Sequence, residues 1–193
     1  DDLLLYRLAQ DEYMMVVNAT NTESDFHWLG THNKFDSELE DVSHQTTLLA
    51  LQGPRAQEML QPLTEADLST LASFRCIQTR VGGVEGILSR TGYTGEDGFE
   101  CYFSNSDAHT VWETFIDAGT PFGVLPVGLG ARNTLRLEAG LLLHGNDMDQ
   151  TTTPIEAGIG WVVKLEKGDF IGREALLRQV EAGITRRLTG FQM

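Results

Sequence analysis

A twelve-residue stretch, Ser89-Arg90-Thr91-Gly92-Tyr93-Thr94-Gly95-Glu96-Asp97-Gly98-Phe99-Glu100, constrains this chain more than any other segment. It packs three glycines, a tyrosine and three carboxylates between two strand-like runs, residues 84 to 90 and 99 to 103. A structural turn needs only one or two glycines to reach positive φ. Glycines also let a flat ligand approach the backbone, Tyr93 offers a face for stacking, and Glu100 offers two acceptor oxygens where the next strand begins. That set suits a planar heterocycle with adjacent N–H donors, because binding pockets combine apolar walls with a few convergent polar groups. The competing reading is a solvated hairpin loop whose acids serve only solubility.

Acidic residues outnumber Lys plus Arg by 28 to 14, a formal charge of −14 over 193 residues. Such a balance repels phosphate backbones and anionic lipid, which argues against nucleic acid and membranes as partners. No apolar run approaches the roughly 20 residues of a membrane span. With 41% hydrophobic residues the chain can bury a core, as one large domain or two small ones. Cys76 and Cys101 fall in strand-like runs and read as small core residues, not as a disulfide framework. A reducing cytosol or an organelle matrix fits that usage.

The apolar patterns predict strands at residues 3 to 8 and 13 to 17, joined by a polar turn. Thr22 is expected to cap a short helix that buries Phe26, Leu29 and Phe35. A strand at residues 47 to 51 leads into a helix with Pro54 at its first position and Ala56, Met59 and Leu60 facing inward. Gly82-Gly83 reads as the turn of a hairpin between strands 75 to 81 and 84 to 90. Ala108, Val111, Trp112, Phe115 and Ile116 recur at helical spacing after Ser106. Further helices are expected at 129 to 139 and 174 to 181, and a short strand at 161 to 164. Strand-like residues at both ends, with 187 to 191 reading as the start of another strand, suggest a piece of a longer polypeptide. Hairpin strands with helices returning between them predict an α+β fold with mainly antiparallel sheets.

Familiar catalytic patterns are missing: the sequence has no dinucleotide-binding glycine fingerprint, phosphate loop or nucleophile elbow. His27, His32, His44, His109 and His144 lack metal-ligand spacing, so no metal is expected. Asp1-Asp2 opens an apolar strand; an inward carboxylate there would act on a ligand nitrogen, whereas a solvated strand end is the plainer alternative. Arg132 and Arg136, four apart, share one helix face. They read either as an ion-pair face or as a clamp on an anionic or carbonyl-bearing ligand.

Seven separated segments, in order, resemble the T-protein (aminomethyltransferase) family of the glycine cleavage system. They are Asp1-Asp2-Leu3, Val16-Val17-Asn18-Ala19, Leu49-Ala50-Leu51-Gln52-Gly53-Pro54, residues 91 to 100, residues 128 to 140, Thr153-Pro154-Ile155-Glu156-Ala157-Gly158 and Gly168-Asp169-Phe170-Ile171-Gly172-Arg173-Glu174. The resemblance implies the middle half of a longer protein, with an N-terminal segment and a C-terminal barrel-like domain beyond it. It implies two interwoven α+β domains, 1–42 with 151–185 and a second at 46–150, and the start of a truncated domain at 186–193. It further implies tetrahydrofolate as the one-carbon acceptor, the lipoylated H-protein as partner, and release of ammonia. Asp2 matches the family's catalytic carboxylate, Glu100 the acid facing the pterin ring's N–H donors, Asn18 and Tyr93 the folate-site lining, and Arg132 a ligand-binding arginine. The family usually has Asp after that arginine; here it is Asn133, which implies a weaker local ion pair. The runner-up is a tetrahydrofolate-dependent demethylase on the same scaffold. A non-catalytic folate-binding helper of iron–sulfur cluster assembly ranks last, because its Lys-Gly-Cys-Tyr-x-Gly-Gln-Glu signature is missing.

Overall fold

The computed structural model describes residues 2 to 191, which gather into two compact units. The larger is Leu3–Leu141; the smaller joins Asp2 to residues 142 to 191. Both strand systems belong to the larger unit, and its α+β character with antiparallel pairing agrees with the sequence reading. Residues 3 to 42 share this unit with residues 46 to 141.

Four strands form the main sheet: β3 (Thr46–Gln52), β4 (Cys76–Val81), β5 (Val84–Ser89) and β6 (Gly98–Ser104), in the order β3-β6-β5-β4. Every pair is antiparallel. The β4–β5 hairpin closes through Gly82 and Gly83 at φ 60° and 84°, the left-handed pair that a tight two-residue turn requires. Central strand β6 is buried on both sides. Phe99, Cys101 and Phe103 point into the core, where they meet Ala56, Met59 and Leu60 of helix α2 (Ala56–Leu60) and Val111 and Phe115 of helix α3 (Ala108–Gly119). Cys101 is fully buried, and burial pushes its thiol far above the ordinary range, so it behaves as a small apolar residue. By strand alternation Glu100 and Tyr102 occupy the opposite face. There the hairpin of β1 (Leu4–Arg7) and β2 (Tyr13–Val16) contributes Tyr6, whose ring meets that of Tyr102 edge-on at 6.0 Å.

Several expectations fail, for local reasons. Helix α1 (Thr22–His32) takes Asn21 as its cap residue instead of Thr22 and buries no side chain; Phe26 is 40% and Phe35 82% exposed. Its apolar residues are too scattered to form a stripe. Pro54 precedes the helix, which starts two residues later at Ala56 after Arg55. One 3-10 turn, Asn105–Asp107, comes before α3, with Ser104 accepting from the Ser106 N–H. Trp112 stands on the outer side of α3.

In the smaller unit residues 160 to 162 form a 3-10 turn where a strand was expected, and residues 187 to 191 form no strand. Its one α-helix among the described residues, which follows helix α4 (Leu129–Glu138) of the larger unit, is α5 (Arg173–Ala182). It runs between Gly172 and Gly183, both at positive φ. Glu156 anchors this unit. Its carboxylate accepts from the Thr153 N–H at 2.9 Å and from Arg186 Nε at 3.1 Å, and these bonds, Arg186 first, hold it below the usual carboxylate range.

Candidate functional site

The glycine loop after β5 is braced from three sides. Gln52, at the end of β3, donates from Nε2 to the carbonyls of Thr91 at 3.1 Å and Phe99 at 3.2 Å, and Thr94 Oγ1 donates back to Gln52 Oε1 at 3.3 Å. A side chain at Gly92 or Gly98 would fall inside the Gln52 amide, so these glycines make room for the brace. Arg90 holds the loop base by pairing with both oxygens of Asp97 at 2.9 and 2.7 Å, and it donates from Nη1 to the carbonyls of Leu68 and Leu71 at 3.1 Å each. The Arg90 hydrogen bonds hold the Asp97 carboxyl below its ordinary value and push the guanidinium up. The Gly53 N–H completes the frame by donating to the Asp97 carbonyl at 2.8 Å.

Glu100 sits opposite Ser89 on one side and Ala50 on the other, on the sheet face away from the apolar core. One of its oxygens accepts from Thr91 Oγ1 at 2.5 Å. Thr91 in turn belongs to a buried triangle of hydroxyls. Ser89 Oγ donates to Tyr6 OH at 2.8 Å, Tyr6 OH lies 3.1 Å from Thr91 Oγ1, and Ser89 Oγ lies 2.8 Å from Thr91 Oγ1. The neighbouring Tyr102 hydroxyl is buried without a hydrogen-bond partner among the described residues. Burial first, and the Glu100 charge second, keep its proton far above the ordinary tyrosine range.

Arg132, on helix α4, lays its guanidinium over the Tyr93 ring at 4.4 Å from the centroid. A side chain at Gly95 would press on Ala139 at 2.7 Å, so the loop packs directly against the end of α4, which brings the two residues together. Arg136 goes elsewhere. It is 2% exposed and donates from Nε and Nη2 to Asn133 Oδ1 at 2.9 and 2.8 Å, and from Nη1 to the Leu141 carbonyl at 3.1 Å. The two arginines therefore do different work despite their helical spacing, and Asn133 serves Arg136. Asn18, half-buried, stands at the head of α1 and accepts at its carbonyl from the Asn21 N–H at 2.8 Å. An open groove of about 920 Å³ begins at the next residues, Ala19 and Thr20, and continues along Phe26 and His27 to Asp41 and His44. Asp2 is half-buried in the smaller unit; Asp1 lies outside the described residues.

Of the residues singled out from sequence, Tyr93 and Arg132 are joined directly, and Glu100 closes the same loop. Gln52, Thr91, Ser89 and Tyr6 were not singled out, although they build the frame. Tyr6 carried a usable signal, being a hydroxyl-bearing aromatic within an apolar strand.

The family model described as GCVT N-terminal domain matches residues 1–167. An aminomethyltransferase of Geobacillus thermodenitrificans is 54% identical over the whole of this chain, which covers 53% of that protein. One from Caldanaerobacter subterraneus subsp. tengcongensis is 50% identical, with 52% covered. The crystal structure of glycine cleavage system aminomethyltransferase T from Bartonella henselae superposes with a TM-score of 0.82 at 38% identity, over 95% of this chain and 49% of that one. A heterotetrameric sarcosine oxidase from Corynebacterium sp. U-96 shares the fold at a TM-score of 0.52 and 23% identity, over 64% of this chain and 63% of that one. The chain spans about half the length of the curated relatives it matches.

Proposed function

Because the chain belongs to the GCVT N-terminal domain family, we propose that it carries the tetrahydrofolate site of a glycine cleavage aminomethyltransferase. In this reading the enzyme moves a one-carbon unit from the aminomethylated lipoyl arm of the H-protein to tetrahydrofolate and releases ammonia. The observation that supports it is the braced glycine loop, which presents Tyr93 under Arg132 and Glu100 with one oxygen held by Thr91.

A pterin edge carries adjacent N–H donors, and a fixed carboxylate accepts them as a planar pair. Glu100 takes that role. Tyr93 and Asn18 line the site, and Arg132 meets a ligand carbonyl or carboxylate. Asp2 is the catalytic carboxylate, which orients the reacting folate nitrogen and handles its proton. No metal enters this reading. The division into interwoven domains, 1–42 with 151–185 against 46–150, and a cytoplasmic setting are parts of the same proposal.

The test uses a chimera in which this chain replaces the matching half of the Geobacillus thermodenitrificans protein. It should release ammonia from aminomethylated H-protein in the presence of tetrahydrofolate. Asp2→Asn should lower turnover by roughly 10²–10⁴-fold with little change in folate affinity, the usual worth of general acid–base work. Tetrahydrofolate binding without ammonia release by the parent chimera would overturn the donor assignment and favour a demethylase. Near-normal turnover in Asp2→Asn would overturn the role of Asp2.

A further inference from the structure

The three hydroxyls beneath Glu100 have few ways to share their protons. Each hydroxyl has one proton to donate, whereas an ionised carboxylate only accepts. Thr91 gives its proton to Glu100 at 2.5 Å, and Ser89 gives its own to Tyr6 at 2.8 Å. The Tyr6 proton is then the one left for the Tyr6–Thr91 contact at 3.1 Å. Donation therefore runs from Ser89 to Tyr6 to Thr91 to Glu100, and Ser89 also abuts Thr91 at 2.8 Å, closing the triangle. All three donors are buried: Ser89 is 0%, Tyr6 4% and Thr91 7% exposed. In such surroundings each hydrogen bond polarises the next, so the last one, onto the carboxylate, gains most. Thr91 is also β-branched and stiff, and Gln52 pins its carbonyl, so both ends of the residue are fixed.

We infer that Thr91, driven by Tyr6 and Ser89, is a positioning residue that sets the direction in which Glu100 meets its ligand. The inference rests on the reading of Glu100 as the pterin acceptor. A glutamate has three side-chain torsions, and the strand backbone fixes none beyond the first. Here one oxygen is committed to Thr91, which turns the other toward a ligand donor. The relay thus selects ligands that present N–H at that edge.

The test titrates tetrahydrofolate calorimetrically into the chain itself and into the chimera. Thr91→Val keeps shape but removes the donor, and it should raise Kd about ten-fold, the lower end for losing a hydrogen bond to a charged group. Thr91→Ser should restore affinity to within about three-fold of the parent, because the hydroxyl returns. In a Glu100→Gln background Thr91→Val should add nothing further, since it acts through Glu100. Tyr6→Phe keeps the ring against Tyr102 and serves where Thr91→Val does not fold; it should weaken binding in the same direction. Unchanged Kd in Thr91→Val and Tyr6→Phe beside a weakened Glu100→Gln overturns the relay alone, as does full additivity of the double variant. Unchanged Kd in Glu100→Gln overturns the folate reading, and the relay with it.

Discussion

Gly92 and Gly130 show how differently two glycines act in one site. The space a side chain would take at Gly92 is filled by the Gln52 amide, which bonds to the loop on both sides of it. Gly92→Ala must push that amide out, and overpacking of this kind should cost about 1–3 kcal/mol of stability. Gly130, in the first turn of α4, meets nothing within 4 Å. Gly130→Ala should stabilise the chain by a few tenths to about 1 kcal/mol, because it narrows the unfolded ensemble. Urea titrations of both variants check the pair; equal effects would mean that the Gln52 brace is not a constraint. Asp97 supplies a pH signature for the same loop. Its carboxyl titrates below the ordinary 3.8 because Arg90 bonds to it. A folded-state pKa lowered in this way adds stability above the unfolded value, and that stability is lost as pH falls through the lowered one. Protection of the Gly53 amide, which donates to the Asp97 carbonyl, should therefore fall on acidification below about pH 4 in the wild type, once exchange is corrected for the pH dependence of an unstructured amide. Asp97→Asn should show low protection already at neutral pH, with a much smaller further change in acid.

Among the elements, α3 and β6 carry the stability and α1 adds little. Phe115 of α3 is 6% exposed and packs with Phe99, Cys101 and Phe103 of β6. Phe115→Ala should cost about 3–5 kcal/mol, the range for emptying a buried aromatic site. Phe35, just after α1, is 82% exposed, and Phe35→Ser should stay within about 0.5 kcal/mol. Thermal or urea unfolding of the two variants checks the contrast. The same contrast explains what was legible in the sequence. Helix α3, strand β6 and the Gly82-Gly83 hairpin were legible because each is buried against a partner, although the apolar series read for α3 included Trp112, which lies on its outer side. Helix α1 was placed but given a buried face it lacks, because its few apolar residues are too scattered to make a stripe. Trp161, Val162 and Val163 suit the strand expected at 161 to 164, yet residues 160 to 162 close a 3-10 turn with the Val163 N–H bonded to the Gly160 carbonyl. Local backbone bonding outweighed propensity there.

At the scale of the molecule, the candidate site depends on contacts between residues far apart in sequence. Glycines, Tyr93 and Glu100 were visible in one stretch, and Arg132 was visible as one of two helix-face arginines. That Arg132 covers Tyr93 while Arg136 is buried against Asn133 was not, because a four-residue spacing places two side chains on one face without saying what covers each. The hydroxyl relay joins Tyr6 to Ser89 and Thr91, more than 80 residues away, and no local pattern encodes such a meeting. The Gln52 brace is equally remote from the loop it holds. The central claim, that this stretch is a folate site, is tested most directly by mapping tetrahydrofolate onto the isotope-labelled chain with backbone amide NMR. Shifts should concentrate at residues 91 to 100, at Asn18 and around Arg132, and should fade in Glu100→Gln. Shifts confined to other elements, such as α5, or identical shifts in Glu100→Gln, would contradict the account.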